Sequence, residues 1–209
     1  MSTTAATASA HPSGFPLGWN GGASPFGITW QKMMMWFFIV TDALLFGGFL
    51  TGYGFNRLAA ESWPDRHQVF HFWFITLMTF ILISSSATMG TAVEAAARKD
   101  FKQAMRFLAL TIAGGLCFLG MQAFEWVTVI GEGARLNGNP WGTVGFSSFF
   151  FLITGFHGTH VLIGLIVLAV VTLRGRAGRW SAEGVELAGL YWHFVDLVWV
   201  FVFGCFYLI

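Results

Sequence analysis

Five stretches of this chain stay apolar for long enough to cross a bilayer. They run over Trp30–Phe55, Val69–Val93, Ala104–Ile130, Gly145–Leu173 and Val185–Ile209. About 20 apolar residues in an α-helix span the ~30 Å hydrocarbon layer, so the pattern predicts five transmembrane helices. Charged or turn-forming residues bound each run. Asn56-Arg57 follows the first, Arg98-Lys99-Asp100 the second, Asn137-Gly138-Asn139-Pro140 precedes the fourth, and Arg174-Gly175-Arg176 closes it. Small residues recur inside the runs at Gly47-Gly48, Ser84-Ser85-Ser86-Ala87, Gly114-Gly115 with Gly120, and Gly155 with Gly158. They let helix backbones approach closely, as in any membrane bundle, and predict packing rather than a function.

Basic positions between the runs and at their ends give the orientation. Counted alternately, the side of the N-terminus collects Lys32, Arg98, Lys99, Lys102, Arg106, Arg174, Arg176 and Arg179, and the opposite side only Arg57, Arg66 and Arg135. The excess of basic residues predicts a cytoplasmic N-terminus and a periplasmic C-terminus. Trp30, Trp63, Trp141 and Trp180 fall near run ends, where interfacial anchors belong. Residues 1–29 are rich in Ala, Ser, Thr, Gly and Pro and contain no apolar core of signal-peptide length. They read as a flexible cytoplasmic tail ahead of a single transmembrane domain over 30–209.

Composition narrows the class further. Of the 209 residues, 56% are hydrophobic and only 10% are Asp, Glu, Lys or Arg, against about 25% in an average soluble domain. A soluble globule, a disordered chain and a disulfide scaffold are excluded. A net charge of +1 supplies no basic field for nucleic acid. Cys117 and Cys205 lie at different depths of the third and fifth runs, so no disulfide is expected between them.

Ionisable residues within a span are costly and are usually paired or functional. Those that lie away from the run ends are Asp42, Glu125, His157, His160, His193 and Asp196. Asp42, near the middle of the first run, reads either as a proton-handling or lipid-contacting acid or as a buried acid bonded to a nearby Ser, Thr or His. His157 and His160 are three apart and share one helix face, and His193 and Asp196 repeat that spacing. A carboxylate one turn from a His can fix its tautomer. Glu125 is placed to approach the same interior from nearer the outer side. Three histidines with acids nearby fit two readings, a metal or haem site, or interhelical hydrogen bonds that hold the bundle together. The Glu-x-x-His of di-iron bundles does not occur here. A proton channel or small transporter resting on Asp42 and Glu125 lacks a chain of polar groups reaching both ends of the spans.

These residues carry a resemblance. Phe149-Phe150-Phe151 through Thr154-Gly155-Phe156-His157-Gly158-Thr159-His160-Val161 and Tyr191-Trp192-His193-Phe194-Val195-Asp196-Leu197-Val198-Trp199 closely resemble subunit III of haem-copper terminal oxidases. Asp42-Ala43-Leu44-Leu45-Phe46 and Gln122-Ala123-Phe124-Glu125-Trp126 match it more weakly. The similarity covers all but the N-terminal tail and is greatest to the five-helix bacterial cytochrome c oxidase form.

The resemblance implies a non-catalytic subunit of the bacterial inner membrane with no haem, copper or other metal of its own. Its partners would be subunit I, which holds the haems and copper that reduce oxygen to water, and subunit II, which receives electrons from cytochrome c. A respiratory supercomplex is a further partner of this kind. The subunit would stabilise subunit I, hold phospholipid in a cleft and support proton uptake.

Two departures matter. The long family form has seven helices and this chain corresponds to its last five, so either the far wall of the lipid cleft comes from elsewhere or the cleft is open. Asp42 stands where long forms carry a carbodiimide-reactive Glu, and its carboxyl is one methylene shorter. Arg174 matches a position expected to hold a lipid headgroup, for which a guanidinium suits phosphate; an ordinary positive-inside residue is the alternative. Quinol oxidases contain similar five-helix third subunits, and nitric-oxide reductase accessory proteins share the frame. The Glu125-Trp126 and Val198-Trp199 pairs favour the cytochrome c enzyme.

Overall fold

The computed structural model describes residues 27–65 and 69–208. It consists of α1 (Trp30–Ala59), α2 (Phe72–Ala97), α3 (Phe101–Gly131), α4 (Val144–Arg176) and α5 (Ala182–Phe203), the last running into a π-helical turn over Gly204–Leu208. All five are long and apolar enough to cross a membrane. Residues 1–26 of the tail expected over 1–29, and Arg66 of the basic count, lie outside the described residues.

The helices mostly outrun the apolar stretches that predict them. Hydropathy marks the thickness of the hydrocarbon, whereas backbone hydrogen bonding continues through the interface until a cap ends it. Thr29, Asp100 and Ser181 provide such caps, accepting from the backbone N–H of Lys32, Gln103 and Gly184 at 3.4, 3.0 and 3.0 Å. Three helices end alike. After α2, α3 and α4 the chain turns through Lys99, Gly133 and Gly178, each with φ positive. Beyond each, the next N–H reaches back to a carbonyl one turn up: Asp100 to Ala95, Ala134 to Val129 and Arg179 to Arg174. This motif satisfies carbonyls that the helix end leaves free. Glycine adopts that backbone without penalty, but Lys99 does not.

The start of α2 departs from expectation in the other direction. Val69 and Phe70 precede the helix, and both are buried. Phe70 leaves the helical path to pack its ring against Phe146, Phe150 and Tyr207.

α5 is the hub. It packs against α1, α2 and α4, while α2 and α3 form a close antiparallel pair and α4 lies against α3. Two glycines admit the largest side chain at the centre. A Cβ on Gly115 of α3 would come within 2.5 Å of the Trp192 ring, and one on Gly164 of α4 within 2.9 Å. Trp192 is fully buried in the space they leave. Its indole N–H donates to Ser85 Oγ on α2 at 3.1 Å, and that hydroxyl donates to the Thr111 carbonyl of α3. Trp199 Nε1 donates to Thr79 Oγ1 at 3.0 Å, and Trp126 Nε1 to Thr154 Oγ1 at 3.1 Å. Each ring thus brings apolar bulk to the core while its one polar atom is bonded across to another helix.

α1 is peripheral. Only Asp42, Phe46 and Tyr53 of its 30 residues are buried, all on one face. Phe46 meets Phe156, His157 and His160 edge-on or tilted, and Tyr53 lies 4.1 Å from Phe206 between ring centroids.

Candidate functional site

Asp42 and His160 meet where α1 crosses α4. The Asp42 carboxyl Oδ1 lies 3.4 Å from His160 Nε2, and both side chains are about one-tenth exposed, at 9% and 10%. The other ring nitrogen, Nδ1, is 2.8 Å from the Phe156 carbonyl oxygen on the preceding turn. A carbonyl only accepts, so Nδ1 carries a hydrogen. Nε2 therefore faces the carboxyl with either a lone pair or a second hydrogen. The contact holds together when one proton is shared, on the carboxyl or on the ring. The second carboxyl oxygen, Oδ2, is buried without a partner. Tyr191 of α5 completes the surroundings by donating to the His160 carbonyl at 3.0 Å.

The remaining ionisable residues do not converge with this pair. Glu125 is buried at the far end of α3, where Tyr207 donates to Oε1 at 3.0 Å and Gln122 Nε2 to Oε2 at 3.2 Å. The contact ties α3 to the π-helical turn after α5. His157 is fully buried, but neither ring nitrogen has a hydrogen-bond partner, so it takes no part in the polar network expected of it. Aromatic rings surround it instead. Trp199 lies at 5.0 Å between centroids and Phe118 edge-on at 5.8 Å, which leaves no space for a polar neighbour.

His193 also differs from expectation. It is exposed on the outside of the bundle rather than packed within it. Its Nδ1 is oriented by Ser86 Oγ at 2.6 Å, not by Asp196 one turn on. Asp196 is buried with its carboxyl beside the same Ser86 hydroxyl. Asp196 follows its helix inward while His193 sits on the outward edge, so the shared spacing does not bring the two into contact. Among the described residues no three His, Cys, Asp or Glu side chains are grouped so as to share a metal ion. Cys117 and Cys205 are both free.

Sequence patterns concealed several of these partners. Ser86 reads as one of a run of small packing residues, and Tyr207 as part of an apolar end. Only their neighbours across helices reveal the hydroxyls as bonding groups. Arg174 lies in the last turn of α4, near the helix end where a cation is favoured.

Buried carboxyl and imidazole groups within five apolar helices define a multi-pass membrane protein whose polar chemistry is internal to the bundle. The comparisons with known proteins give this class a family. The family model described as cytochrome c oxidase subunit III matches residues 21–209. A cytochrome c oxidase subunit 3 of Thermostichus vulcanus is 35% identical over 82% of this chain and 84% of its own length. A quinol oxidase subunit 3 of Bacillus spizizenii is also 35% identical, over 83% and 84%, and a cytochrome c oxidase subunit 3 of Bacillus sp. (strain PS3) is 29% identical over 83% of each. The chain belongs to the cytochrome c oxidase subunit III family. It is a membrane subunit of a haem-copper terminal oxidase of the respiratory chain.

Proposed function

We propose that this chain is the third subunit of a proton-translocating cytochrome c oxidase and carries no redox centre itself. In this reading it flanks subunit I, which would hold the haems and copper, together with subunit II as the electron entry. It stabilises that assembly, binds phospholipid with Arg174 at the headgroup, and supports proton uptake through Asp42. The N-terminus faces the cytoplasm. The observation that carries the reading is the Asp42–His160 contact, a carboxyl and an imidazole arranged to share one proton within a span. The indole N–H groups of Trp126, Trp192 and Trp199 and the Glu125 carboxyl all bond between helices, which suits a subunit whose interior is built to hold shape.

A quinol-oxidising complex is the second reading, because a relative named for quinol oxidase matches at the same 35% identity as one named for cytochrome c oxidase. Both Trp126 and Trp199 bond within the chain. They therefore report on packing and favour neither donor. Purification of the complex through this chain decides. Oxygen uptake with reduced cytochrome c, and little with a quinol, is the expected result, and the reverse preference overturns the donor. Haem or stoichiometric copper retained by the chain alone overturns the non-catalytic role.

A further inference from the structure

We propose that Asp196, Ser86 and His193 form a second proton-holding site, in which the Ser86 hydroxyl passes a proton between the buried Asp196 carboxyl and the exposed His193 ring. The site is separate from the Asp42–His160 pair and gives a role to the His193 and Asp196 motif, which the proposed function leaves unused.

His193 and Asp196 lie one turn apart on α5 without touching, and Ser86 of α2 is the neighbour they share. Its Oγ is 2.6 Å from His193 Nδ1, and the same hydroxyl lies beside the Asp196 carboxyl. Asp196 is 6% exposed, whereas the His193 ring stands at the surface of the bundle. The hydroxyl is also free for this use. Thr76, Thr79, Thr88 and Thr91 of α2 each turn the hydroxyl hydrogen back onto a carbonyl of their own helix. Among the described residues no carbonyl takes that of Ser86.

A hydroxyl donates one hydrogen and accepts through its lone pairs. When Ser86 donates to Nδ1, its lone pairs are left for the carboxyl, so Asp196 bonds to it only by bringing a hydrogen of its own. The ring then carries its hydrogen on Nε2, and all three side chains are neutral, as an apolar interior favours. A concerted shift reaches the other arrangement. The Asp196 O–H bond breaks and its proton joins Ser86 Oγ, while the hydrogen already on Oγ moves to Nδ1. The carboxyl becomes a carboxylate, the ring an imidazolium, and the serine is unchanged. Nε2 can now release its hydrogen on the exposed side. One proton has left Asp196 without Asp196 meeting the surface, and the neutral ring is left in its Nδ1–H form. Loss of the Asp196 proton and exchange of the His193 tautomer are therefore one event.

Neighbouring charges do not disturb this coupling. α5 packs against α1, α2 and α4. Asp42 of α1 and His160 of α4 face each other, His157 of α4 is enclosed by rings, and Lys32 of α1 pairs with Glu186 at the start of α5. The only ionisable side chain of α2 is Glu94, which is paired with Arg98. None of these charges acts on Asp196 or His193.

Infrared spectra of the intact oxidase, recorded over a range of pH with ring-labelled histidine, test the site. Asp196→Asn should remove a protonated-carboxyl band and so assign it; if that variant does not assemble, Asp196→Glu shifts the band instead. As pH rises, the band should vanish at the same midpoint at which one ring, absent in His193→Phe, passes from the Nε2–H to the Nδ1–H form. In Ser86→Ala the tautomer exchange should be lost, or its midpoint should part from that of the carboxyl by about one pH unit or more. Ser86→Thr, which keeps the hydroxyl, should restore the single transition. A merely structural serine would leave the linkage unchanged in Ser86→Ala, and that result overturns the relay. So does a carboxyl band unaffected by either Asp196 variant, one that persists at every pH the complex survives, or its loss without a change of tautomer in the unaltered protein. The readout belongs to this chain's own side chains and is the same whether the complex takes cytochrome c or a quinol.

Discussion

Asp42 combines two roles that substitution can separate. Asparagine keeps the size and a hydrogen bond but cannot share a proton with His160, whereas alanine removes both. Asp42→Ala and Asp42→Asn should each leave initial oxygen reduction nearly intact, because the chain carries no redox centre in the proposed function. Both should slow proton uptake or hasten turnover-dependent inactivation, measured by stopped-flow pH change and by activity over many turnovers. Only Asp42→Ala should also loosen α1, seen as a lower melting temperature of the complex; immediate haem loss in either variant would make Asp42 structural. His157 presents the contrary case. Its two unpartnered nitrogens contribute nothing that a phenyl ring lacks, so His157→Phe should assemble normally and melt unchanged or up to about 1 kcal/mol more stably. A marked loss of yield would mean that the imidazole has a partner in the assembled oxidase.

At the scale of elements, the apolar pattern was enough to place five helices, because each must bridge the same hydrocarbon thickness. Their ends were not legible in hydropathy. Capping by Thr29, Asp100 and Ser181 extends or starts helices in polar sequence, and Phe70 leaves its helix to fill a hole between α4 and the last turn. Lys99 is the odd member of three like helix ends, since Gly133 and Gly178 occupy the equivalent position. Lys99→Gly should relieve left-handed strain and raise stability by about 0.5–1 kcal/mol, read as a higher melting temperature in detergent. An unchanged or lower value would mean that the lysine charge outweighs its backbone. Among the site residues, Asp42 was legible as a lone acid in a span. Its partner was not, because His157 and His160 at helical spacing, and His193 on another helix, are indistinguishable until α1 is laid against α4.

At the scale of the whole molecule, orientation rests on the distribution of basic residues. Cysteines placed in the two sets of loops test it in intact cells with a membrane-impermeant maleimide. Asn137→Cys should be labelled from outside, and Arg179→Cys only after permeabilisation. The opposite pattern would invert the topology and put Arg174 at the outer leaflet. The bundle itself is asymmetric. α5 is enclosed by three neighbours, α1 is attached by one stripe, and His193 stands exposed where α2 meets α5.

The fit of Trp192 between Gly115 and Gly164 has a consequence for how such a sequence can drift. None of the three positions is free to change singly, since enlarging either glycine meets the indole and shrinking the indole leaves a void. Gly115→Ala and Trp192→Leu should each lower the melting temperature, while the double variant should lose less than their sum. Positions 115, 164 and 192 should therefore vary together across related chains, and that covariation would give the α3–α4–α5 contact from sequences alone.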